Sequence, residues 1–249
     1  MDVVPAKDGT RYAAWFAPEG PGGGMVAAHV ARSGVGTFRA DRLDEPQAVL
    51  AELPGNVALR GDPASLPPDA LDGLAGFVDA PADWLPVLRA ADPGVAAWDR
   101  VLFELPADVA VPRADAVLLG AADVPAIAAF EADGAWIHET WGSAEALAAS
   151  GMARGVYVDG RLVSIAATFY LGGTYEELGV VTDSAYRGRG FSRTATAALV
   201  ADIRGRGHVP GWSTSPDNAG SLAVAGRLGF RQTGTDVLYA LRVPIPASE

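Results

Sequence analysis

The sequence of 249 residues contains no cysteine and only three methionines and three histidines. The missing cysteines exclude disulfides, thiolate nucleophiles and cysteine-based zinc sites, and nothing else indicates a metal. No apolar run approaches the roughly 20 residues of a membrane-spanning helix. The first fifteen residues lack the basic start and the apolar core of a signal peptide. We therefore expect a cytoplasmic protein that does not enter membranes.

Positive charge is also scarce, since 19 Lys and Arg face 30 Asp and Glu and the net charge is −11. This balance argues against binding to nucleic acids or to anionic membranes, and it favours an amine or cationic substrate. Hydrophobic residues make up 49% of the chain, enough for a sizeable core. The composition does not distinguish a monomer from a homodimer.

A strand, a glycine-rich loop and a helix follow one another near residues 175–205. Apolar residues typical of a strand precede the loop Arg187-Gly188-Arg189-Gly190. After the loop an apolar face recurs at helical spacing, formed by Thr196, Leu199, Val200 and Ile203. Because the first amides of a helix lack partners, this arrangement predicts an anion-binding site.

Three arginines, Arg187, Arg189 and Arg193, crowd the predicted start of this helix. The positive end of the helix dipole disfavours cations there, so the arginines need a compensating anion. A multiply charged phosphate bound by the amides and the guanidinium groups would supply one. The alternative is a solvated loop whose arginines pair with carboxylates elsewhere.

The loop matches one of three phosphate-binding patterns. A P-loop ends in Gly-Lys-Ser/Thr, which this loop lacks. A dinucleotide-binding turn needs a third glycine where Arg193 stands. The remaining pattern, Arg/Gln-x-x-Gly-x-Gly/Ala of acyl-CoA sites, is met by Arg187, Gly190 and Ser192, with serine as a small-residue departure.

The segment from residue 114 to 243 resembles the acyl-CoA-binding core of the GNAT superfamily, the general N-acetyltransferases. The downstream half adds Trp212, Asn218, Ser221, Ala225 and the run Leu228-Gly229-Phe230. This pattern is similar to a subgroup that includes the zwittermicin-resistance acetyltransferase. The resemblance implies an α/β (α+β) fold with a mixed, mostly antiparallel sheet flanked by helices.

The same resemblance implies two domains. Prolines at 106 and 112 mark a linker, after which residues 114–245 would form the acetyltransferase domain with its acyl-CoA site. Residues 1–110 alternate predicted strands and helices without a catalytic cluster. The subgroup often carries a degenerate copy of the GNAT topology in this position, and the order of elements is compatible with one.

The function implied is acetyl transfer from acetyl-CoA to the primary amine of a small molecule, such as an antibiotic-like metabolite, by direct attack on the thioester. The alternative is an acyl-CoA-binding sensor without turnover. It is favoured by Ala225, because many family members have a tyrosine there that protonates the leaving thiolate. Protonation would then fall to water or to a hydroxyl such as Ser221 or Tyr239.

The family pattern gives each candidate residue an expected role. The general base is expected to be Glu177, with Glu176 as the second candidate. Strand alternation points the two side chains to opposite faces, so only one of them can face the cleft. Gly179 is expected to mark a bulge that parts this strand from its neighbour. The remaining candidates form two groups. Cofactor contacts are expected from Val180, Val181, Thr182, Arg187, Gly188, Arg189, Gly190, Phe191, Ser192, Arg193, Asn218 and Ser221, and acceptor contacts from Trp136, His138, Glu139 and Trp141. Both tryptophans among the acceptor candidates are equally explained as buried packing.

The local patterns also predict secondary structure. Strands are predicted over residues 25–30, 34–38, 56–60, 98–105, 116–119, 155–158, 162–170, 175–181 and 209–214. Helices are predicted over 46–53, 69–78, 82–91, 126–131 (capped by Asp123) and 143–149, and after a cap at Ser215, with a final hairpin over 231–243 around Gly234.

Overall fold

The computed structural model describes residues 1–6, 9–67, 69–130 and 132–246. Its strands are β1 Asp2–Pro5, β2 Thr37–Ala40, β3 Ala48–Leu53, β4 Asn56–Gly61, β5 Gly76–Asp79, β6 Ala96–Glu104, β7 Val117–Leu118, β8 Ala153–Val158, β9 Arg161–Leu171, β10 Tyr175–Thr182, β11 Val209–Thr214 and β12 Arg231–Leu241. Its α-helices are α1 Thr10–Ala13, α2 Met25–Ser33, α3 Leu85–Ala91, α4 Val124–Ala128, α5 Ala144–Ser150, α6 Phe191–Gly205 and α7 Ala219–Leu228.

The described strands form one twelve-stranded sheet in the order β1-β2-β3-β4-β5-β12-β6-β11-β10-β9-β8-β7. Neighbouring strands run antiparallel except in two pairs, β4 with β5 and β10 with β11. The mixed, mostly antiparallel sheet flanked by helices is therefore confirmed. Both parallel pairs lie inside the sheet, one on each side of its centre.

The centre of the sheet joins the N-terminal and C-terminal parts of the chain. Strand β6 pairs with β11, and the last strand, β12, lies between β5 and β6. Each part thus contributes a strand beside the other part's sheet. The division into residues 1–110 and 114–245 stays a prediction, since the two segments share a continuous sheet.

Helices cover both faces of the C-terminal strands. On one face α6 and α7 pack against a core that includes Leu199, Trp212 and Leu228. On the other face α5 and a 3₁₀ segment, Ala132–Trp141, enclose a second core around Ile137. A site between β10 and β11 consequently has helices above and below it. Among the described residues no helix is long and apolar enough to cross a membrane.

Three secondary-structure predictions for the N-terminal part are wrong. Residues 25–30 belong to helix α2, residues 48–53 form strand β3, and residues 69–78 contain turns that lead into β5. Short apolar runs fit a buried helix or a buried strand equally well, because periodicity cannot separate them. Strand β3 is buried on both faces, so it lacks the alternation that would have identified it. Predicted strands corresponding to β2, β4 and β6 and the helix ending in α3 are confirmed.

The C-terminal elements follow their local signals more closely. Strands β7 to β11 and helices α5 and α6 are confirmed. The Ser143 side chain caps α5, Gly151 ends it in the left-handed region, and the β8–β9 turn uses positive φ at Asp159 and Gly160. The predicted hairpin over 231–243 is wrong, because β12 is one strand whose register shifts between Gln232 and Gly234.

Helix α4 is shorter than predicted and ends at Ala128, while Glu131 lies outside the described residues. Asp123 occupies the predicted cap position of α4, but its side chain does not accept from the helix amides. Its carboxylate accepts hydrogen bonds from the Gly120 amide and the Tyr157 hydroxyl instead. The bond from the tyrosine anchors this turn to β8.

Candidate active site

Strands β10 and β11 run side by side over three residue pairs and then part. The last pair joins Glu177 to Gly211. Beyond it β10 continues to Thr182 against β9, and β11 continues to Thr214 against β6. The facing edges of the two strands are therefore unpaired with one another past this point. A gap in the interior of a sheet exposes main-chain donors and acceptors to an extended ligand.

The irregularity in β10 lies between Glu177 and Leu178, where the register against β9 shifts. The expected bulge at Gly179 is thus displaced by one or two residues. Gly179 has a different role, because a Cβ there would lie 2.8 Å from the Trp136 ring. Glycine at this position lets the Trp136 ring pack directly on the strand.

The loop after β10 leads to a helix start without a side-chain cap. Gly188 and Gly190 have φ of 75° and 84°, which favour glycine. Gly190 occupies the cap position of α6 and offers no side-chain acceptor to the first amides. An atom added at either glycine would meet nothing within 4 Å, so the space in front of the helix is open.

All three arginines of the loop are exposed around this helix start. The Arg187 Nε donates to the Thr182 carbonyl at 3.3 Å. The Arg189 guanidinium lies over the Tyr186 and Phe191 rings, 5.3 and 5.0 Å from their centroids. Stacking holds the Arg189 side chain beside the open helix end without neutralising its charge. The arrangement can bind an anionic group with several oxygens.

Ser192 stands where the acyl-CoA pattern has glycine or alanine. Its hydroxyl forms a hydrogen bond with the Thr182 hydroxyl at 2.7 Å, and Thr182 in turn bonds to the Ser164 hydroxyl at 2.8 Å. The Ser192 side chain therefore points toward β10 and β9 and away from the loop. The serine fits without filling the space in front of the helix.

Helix α7 begins three residues later than a cap at Ser215 would predict. Its cap is Asn218, whose side-chain oxygen accepts from the Ser221 amide at 2.8 Å. The predicted cap at Ser215 is therefore wrong. The Ser221 hydroxyl accepts from the Trp212 indole at 2.9 Å, on the β11 side of the gap. Asn218 thus has a structural role that its expected cofactor contact did not include.

Glu176 is fully buried in an ion-pair cluster at the far end of α6. Arg206 contacts its two oxygens at 2.8 and 2.7 Å, His208 lies at 2.8 Å, and the Thr168 hydroxyl donates at 2.6 Å. Burial alone would raise the pKa of this carboxyl group, but the hydrogen bonds from Arg206 and Thr168 outweigh it and lower the pKa. A carboxylate with such partners is a weak base.

Glu177 points to a different set of partners, as strand alternation predicts. It is only 3% exposed, and its two oxygens accept from the Gly22 amide and the Ser213 hydroxyl. Burial raises its pKa, against the attraction of Arg100 and the two hydrogen bonds. A carboxyl group with a raised pKa at the point where two strands part is a candidate general base.

The acceptor candidates divide into packing residues and accessible ones. The Trp141 indole donates to the Thr168 carbonyl at 2.7 Å and its ring meets His29 edge-on, so Trp141 is buried packing. Trp136 is half-buried between Gly179 and Phe169. Two remain accessible to a ligand. Glu139 is exposed, and His138 is half-buried with an enclosed Nδ1 that lacks a hydrogen-bond partner among the described residues.

Sequence reasoning missed the groups that surround Glu177. Arg100, Ser213, Asp236 and the Gly22 amide come from four separate segments. The run Gly20-Pro21-Gly22-Gly23-Gly24 predicts only a flexible turn or loop and gives no signal of a contact with a carboxylate. Gly22 has φ of 108°, a backbone conformation that glycine adopts readily.

Solved structures with the same architecture give the class of fold. A GCN5-related N-acetyltransferase-like protein from Streptococcus suis superposes with a TM-score of 0.71 at 20% identity, covering 96% of this chain and all of the other. A GCN5-related N-acetyltransferase from Kribbella flavida gives a TM-score of 0.62 at 18% identity, covering 91% and 98%. The fold is that of GNAT acetyltransferases over nearly the whole chain.

Sequence comparison identifies the family. The profile described as GNAT acetyltransferase matches residues 100–239, more than half of the chain. An uncharacterized N-acetyltransferase encoded in the mutA 5′ region of Streptomyces virginiae is 38% identical over 201 residues, covering 78% of this chain and 84% of the relative. The chain belongs to the GNAT acetyltransferase family. It is therefore an N-acetyltransferase, an enzyme of the acyltransferase class.

Proposed function

We propose that the protein transfers an acetyl group from acetyl-CoA to the primary amine of a small molecule. The observation that carries this proposal is the parting of β10 and β11 after Glu177 and Gly211, next to an open, arginine-rich helix start. The pantetheine arm would lie in the gap along Val180, Val181 and Thr182. The pyrophosphate would lie on the loop and first turn of α6, residues 187–193.

The chemistry requires a base, since an amine with a pKa of about 10 arrives mostly protonated at neutral pH. We assign this role to Glu177, whose oxygens each keep a second lone pair beside their existing hydrogen bonds. Because the side chain is almost inaccessible, the proton reaches it through a water molecule. Glu176 is unsuited, because Arg206 and His208 stabilise its ionised form.

After deprotonation the amine nitrogen attacks the thioester carbonyl carbon. The main-chain amide of Val180 or Val181 would stabilise the negative oxygen. The C–S bond then breaks and the thiolate takes a proton. Ser221 is the candidate donor, since its oxygen accepts from Trp212 and leaves its own hydrogen available. Tyr239 is unsuitable, because it is buried in the core formed by Leu74 and Trp84.

Ala225 is compatible with turnover. It is fully buried against Leu105 and Leu228, so the helix packs closely where other members have a tyrosine. Thiol release from acetyl-CoA over a panel of amines tests the proposal against a sensor that binds without turnover. Amine-dependent release supports the enzyme, and saturable binding of acetyl-CoA without release supports the sensor.

The acceptor class is inferred from charge and from the position of the acceptor candidates. The net charge of −11 favours an amine, and Trp136, His138 and Glu139 lie on the 3₁₀ segment that contacts β10. Membership of the subgroup that includes the zwittermicin-resistance acetyltransferase stays a proposal, supported by the residues around α7 alone. The cytoplasmic location likewise stays a prediction.

A further inference from the structure

We propose that Arg100 is a positioning residue for acetyl transfer and acts on Glu177 through the Ser213 hydroxyl. This inference rests on the proposed function, because it concerns the group assigned as the base. It adds a requirement that the predicted acetyltransferase domain, residues 114–245, does not meet alone. Strand β6, which carries Arg100, precedes the expected linker and pairs with β11 at the centre of the sheet.

The chain of contacts begins at Asp236 on β12. Its two oxygens bind the Arg100 guanidinium at 3.0 Å to Nε and 2.5 Å to Nη2. The remaining nitrogen of Arg100, Nη1, lies 2.9 Å from the Ser213 oxygen. The Ser213 hydroxyl in turn contacts Glu177 Oε1. Four side chains on β12, β6, β11 and β10 thus form one continuous line across neighbouring strands.

The donor and acceptor roles along this line are fixed by chemistry. A guanidinium group has no acceptor, so Arg100 must donate to the Ser213 oxygen. The Ser213 hydroxyl therefore donates its single hydrogen to Glu177 Oε1. The hydroxyl always presents a donor to the carboxylate, and Arg100 polarises it. The result is an oriented carboxylate, and both contacts favour its ionised form against the burial that raises its pKa.

Other charged and titratable groups around Glu177 oppose or balance this effect. Asp236 repels it, and Tyr170 from β9 and Asp79 from β5 also interact with this cluster. Arg60 is paired with Asp79 at 2.6 Å. Arg100 is consequently the cation that offsets part of the cost of burying the Glu177 charge.

The N-terminal part also holds the second oxygen of Glu177. The Gly22 amide donates to Oε2, and the next amide, of Gly23, donates to Asp236 at 3.2 Å. A Cβ at Gly22 would lie 2.6 Å from the Asp236 carboxylate. The loop must contain glycine to approach both carboxylates this closely. The N-terminal part therefore completes the site instead of only stabilising the sheet.

The test uses Ser213→Ala, which removes the hydroxyl with little change in volume. Loss of one hydrogen bond to the ionised form should raise the Glu177 pKa by about one unit. Below both pKa values kcat/KM should fall about tenfold, and the loss should disappear at high pH. The KM for acetyl-CoA should not change. A serine with only a structural role would lower stability and leave the pH profile in place.

A paired variant tests Arg100 without leaving a buried charge alone. Arg100→Gln with Asp236→Asn removes both charges together, and it should shift the profile in the same direction as Ser213→Ala. The matched control is Arg154→Gln with Asp202→Asn. That pair has the same two-point geometry at 2.6 and 2.7 Å and lies outside the site. The control should lose stability but keep the wild-type pH profile.

A second readout works without turnover. The side-chain carboxyl of Glu177, labelled with ¹³C and assigned by comparison with Glu177→Gln, can be titrated by NMR in the wild type and in Ser213→Ala. A higher pKa in Ser213→Ala supports the inference, and an unchanged pKa overturns it. Absence of acetyl transfer by the wild type would refute the proposed function alone, since the NMR titration would still decide the role of Ser213.

Discussion

The two parallel strand pairs of the sheet are alike in length and differ in the residue that ends each pairing. Strands β4 and β5 pair over three residues, as β10 and β11 do. The last pair is Ala58 with Asp79 in the N-terminal part and Glu177 with Gly211 in the C-terminal part. On the first strand of each pair, the last paired residue is therefore an alanine in β4 and the candidate base in β10.

The segments that follow β10 and β4 differ in secondary structure. Strand β10 leads through the glycine-arginine loop into a helix of 15 residues. Strand β4 leads into the short turn Pro63–Ser65, capped by Asp62, and no α-helix lies between β4 and β5 in residues 62–67 and 69–75, the part that the structure describes. Parting strands create a gap, but only the uncapped helix start makes that gap an anion site.

Strand β5 ends at the last pair, Ala58 with Asp79, and Arg60 lies beyond it on β4. Its guanidinium donates to the Asp79 carboxylate at 2.6 Å and to the Asp79 carbonyl at 3.2 Å. A ligand would have to displace this largely buried pair at high cost. The comparison supports the proposal that residues 1–110 are a degenerate copy of the topology without a cofactor site of their own.

The largest effect is expected from Glu177→Gln, which removes the candidate base. In the N-terminal part the corresponding position is Ala58, which has no titratable group. The rate of acetyl transfer should fall by about 10²–10⁴-fold, because a positioned base contributes that much. The affinity for CoA should stay nearly unchanged. Steady-state kinetics measures the rate, and calorimetry measures the affinity. As pH rises toward the amine's own pKa the loss should shrink.

The companion variant Glu176→Gln separates the two carboxylates. It removes the partner of Arg206 and His208, so it should lower stability while the chemical step is retained. Full activity in Glu177→Gln together with loss in Glu176→Gln would reverse the assignment of the base.

The contact that His29 makes between the N-terminal and C-terminal parts should make the free energy of unfolding depend on pH. His29 on α2 is buried, accepts from the Leu171 amide and donates to the Thr140 carbonyl. Burial lowers its pKa from 6.5 to about 4. A lowered pKa means that the stabilisation is present above pH 6.5 and is lost as pH falls toward 4. The loss is about 3 kcal/mol.

Urea unfolding at a series of pH values measures this loss. The variant His29→Gln should be less stable at pH 7, and its difference in unfolding free energy from the wild type should shrink as pH falls from about 6.5 to 4.5, because the other titrating groups cancel in that difference. Below that range both proteins lose stability through Glu176, whose lowered pKa acts there. A variant that retained the wild-type slope across the range would contradict the role of His29.

A smaller effect is expected when charge is added to the loop. Gly190→Glu should weaken CoA binding by about 100-fold, because the new carboxylate repels the pyrophosphate at the helix start. The left-handed φ adds a modest loss of stability of about 1 kcal/mol. Gly190→Ala carries the same backbone cost without the charge and should retain most of the affinity.

The corresponding change in the N-terminal part is Ala64→Glu, in the turn that follows β4. Ala64 is exposed, so the variant should fold normally. CoA affinity should equal that of the wild type. Weaker binding in Ala64→Glu would mean that the turn after β4 takes part in phosphate recognition.

Local signals explain how much of the fold the sequence could predict. Helix α6 is predictable from its apolar spacing, and the loop before it from glycine and arginine, because both signals lie within a short stretch of chain. Residues 25–30 and 46–53 mislead local prediction, since their apolar runs are largely buried. Burial of that kind is set by distant strands, so no local pattern reports it.

In the candidate site, the directions of the two glutamate side chains were predictable, but the partners of Glu177 were not. Strand alternation predicts that Glu176 and Glu177 point apart, and their separate partners agree with this. The partners of Glu177 come from residues 22, 100, 213 and 236, which only the sheet order brings together. Side-chain chemistry at one strand was predictable, and the environment that sets its protonation was not.

Calorimetric titration of the wild-type protein with CoA tests the central claim most directly. We predict one site per chain, because within the described part of the chain only the β10–β11 gap opens onto an uncapped helix start. Dephospho-CoA should bind more weakly at the same stoichiometry if an arginine of the loop holds the 3′-phosphate. Two sites per chain, or no binding at all, would contradict the proposed cofactor site.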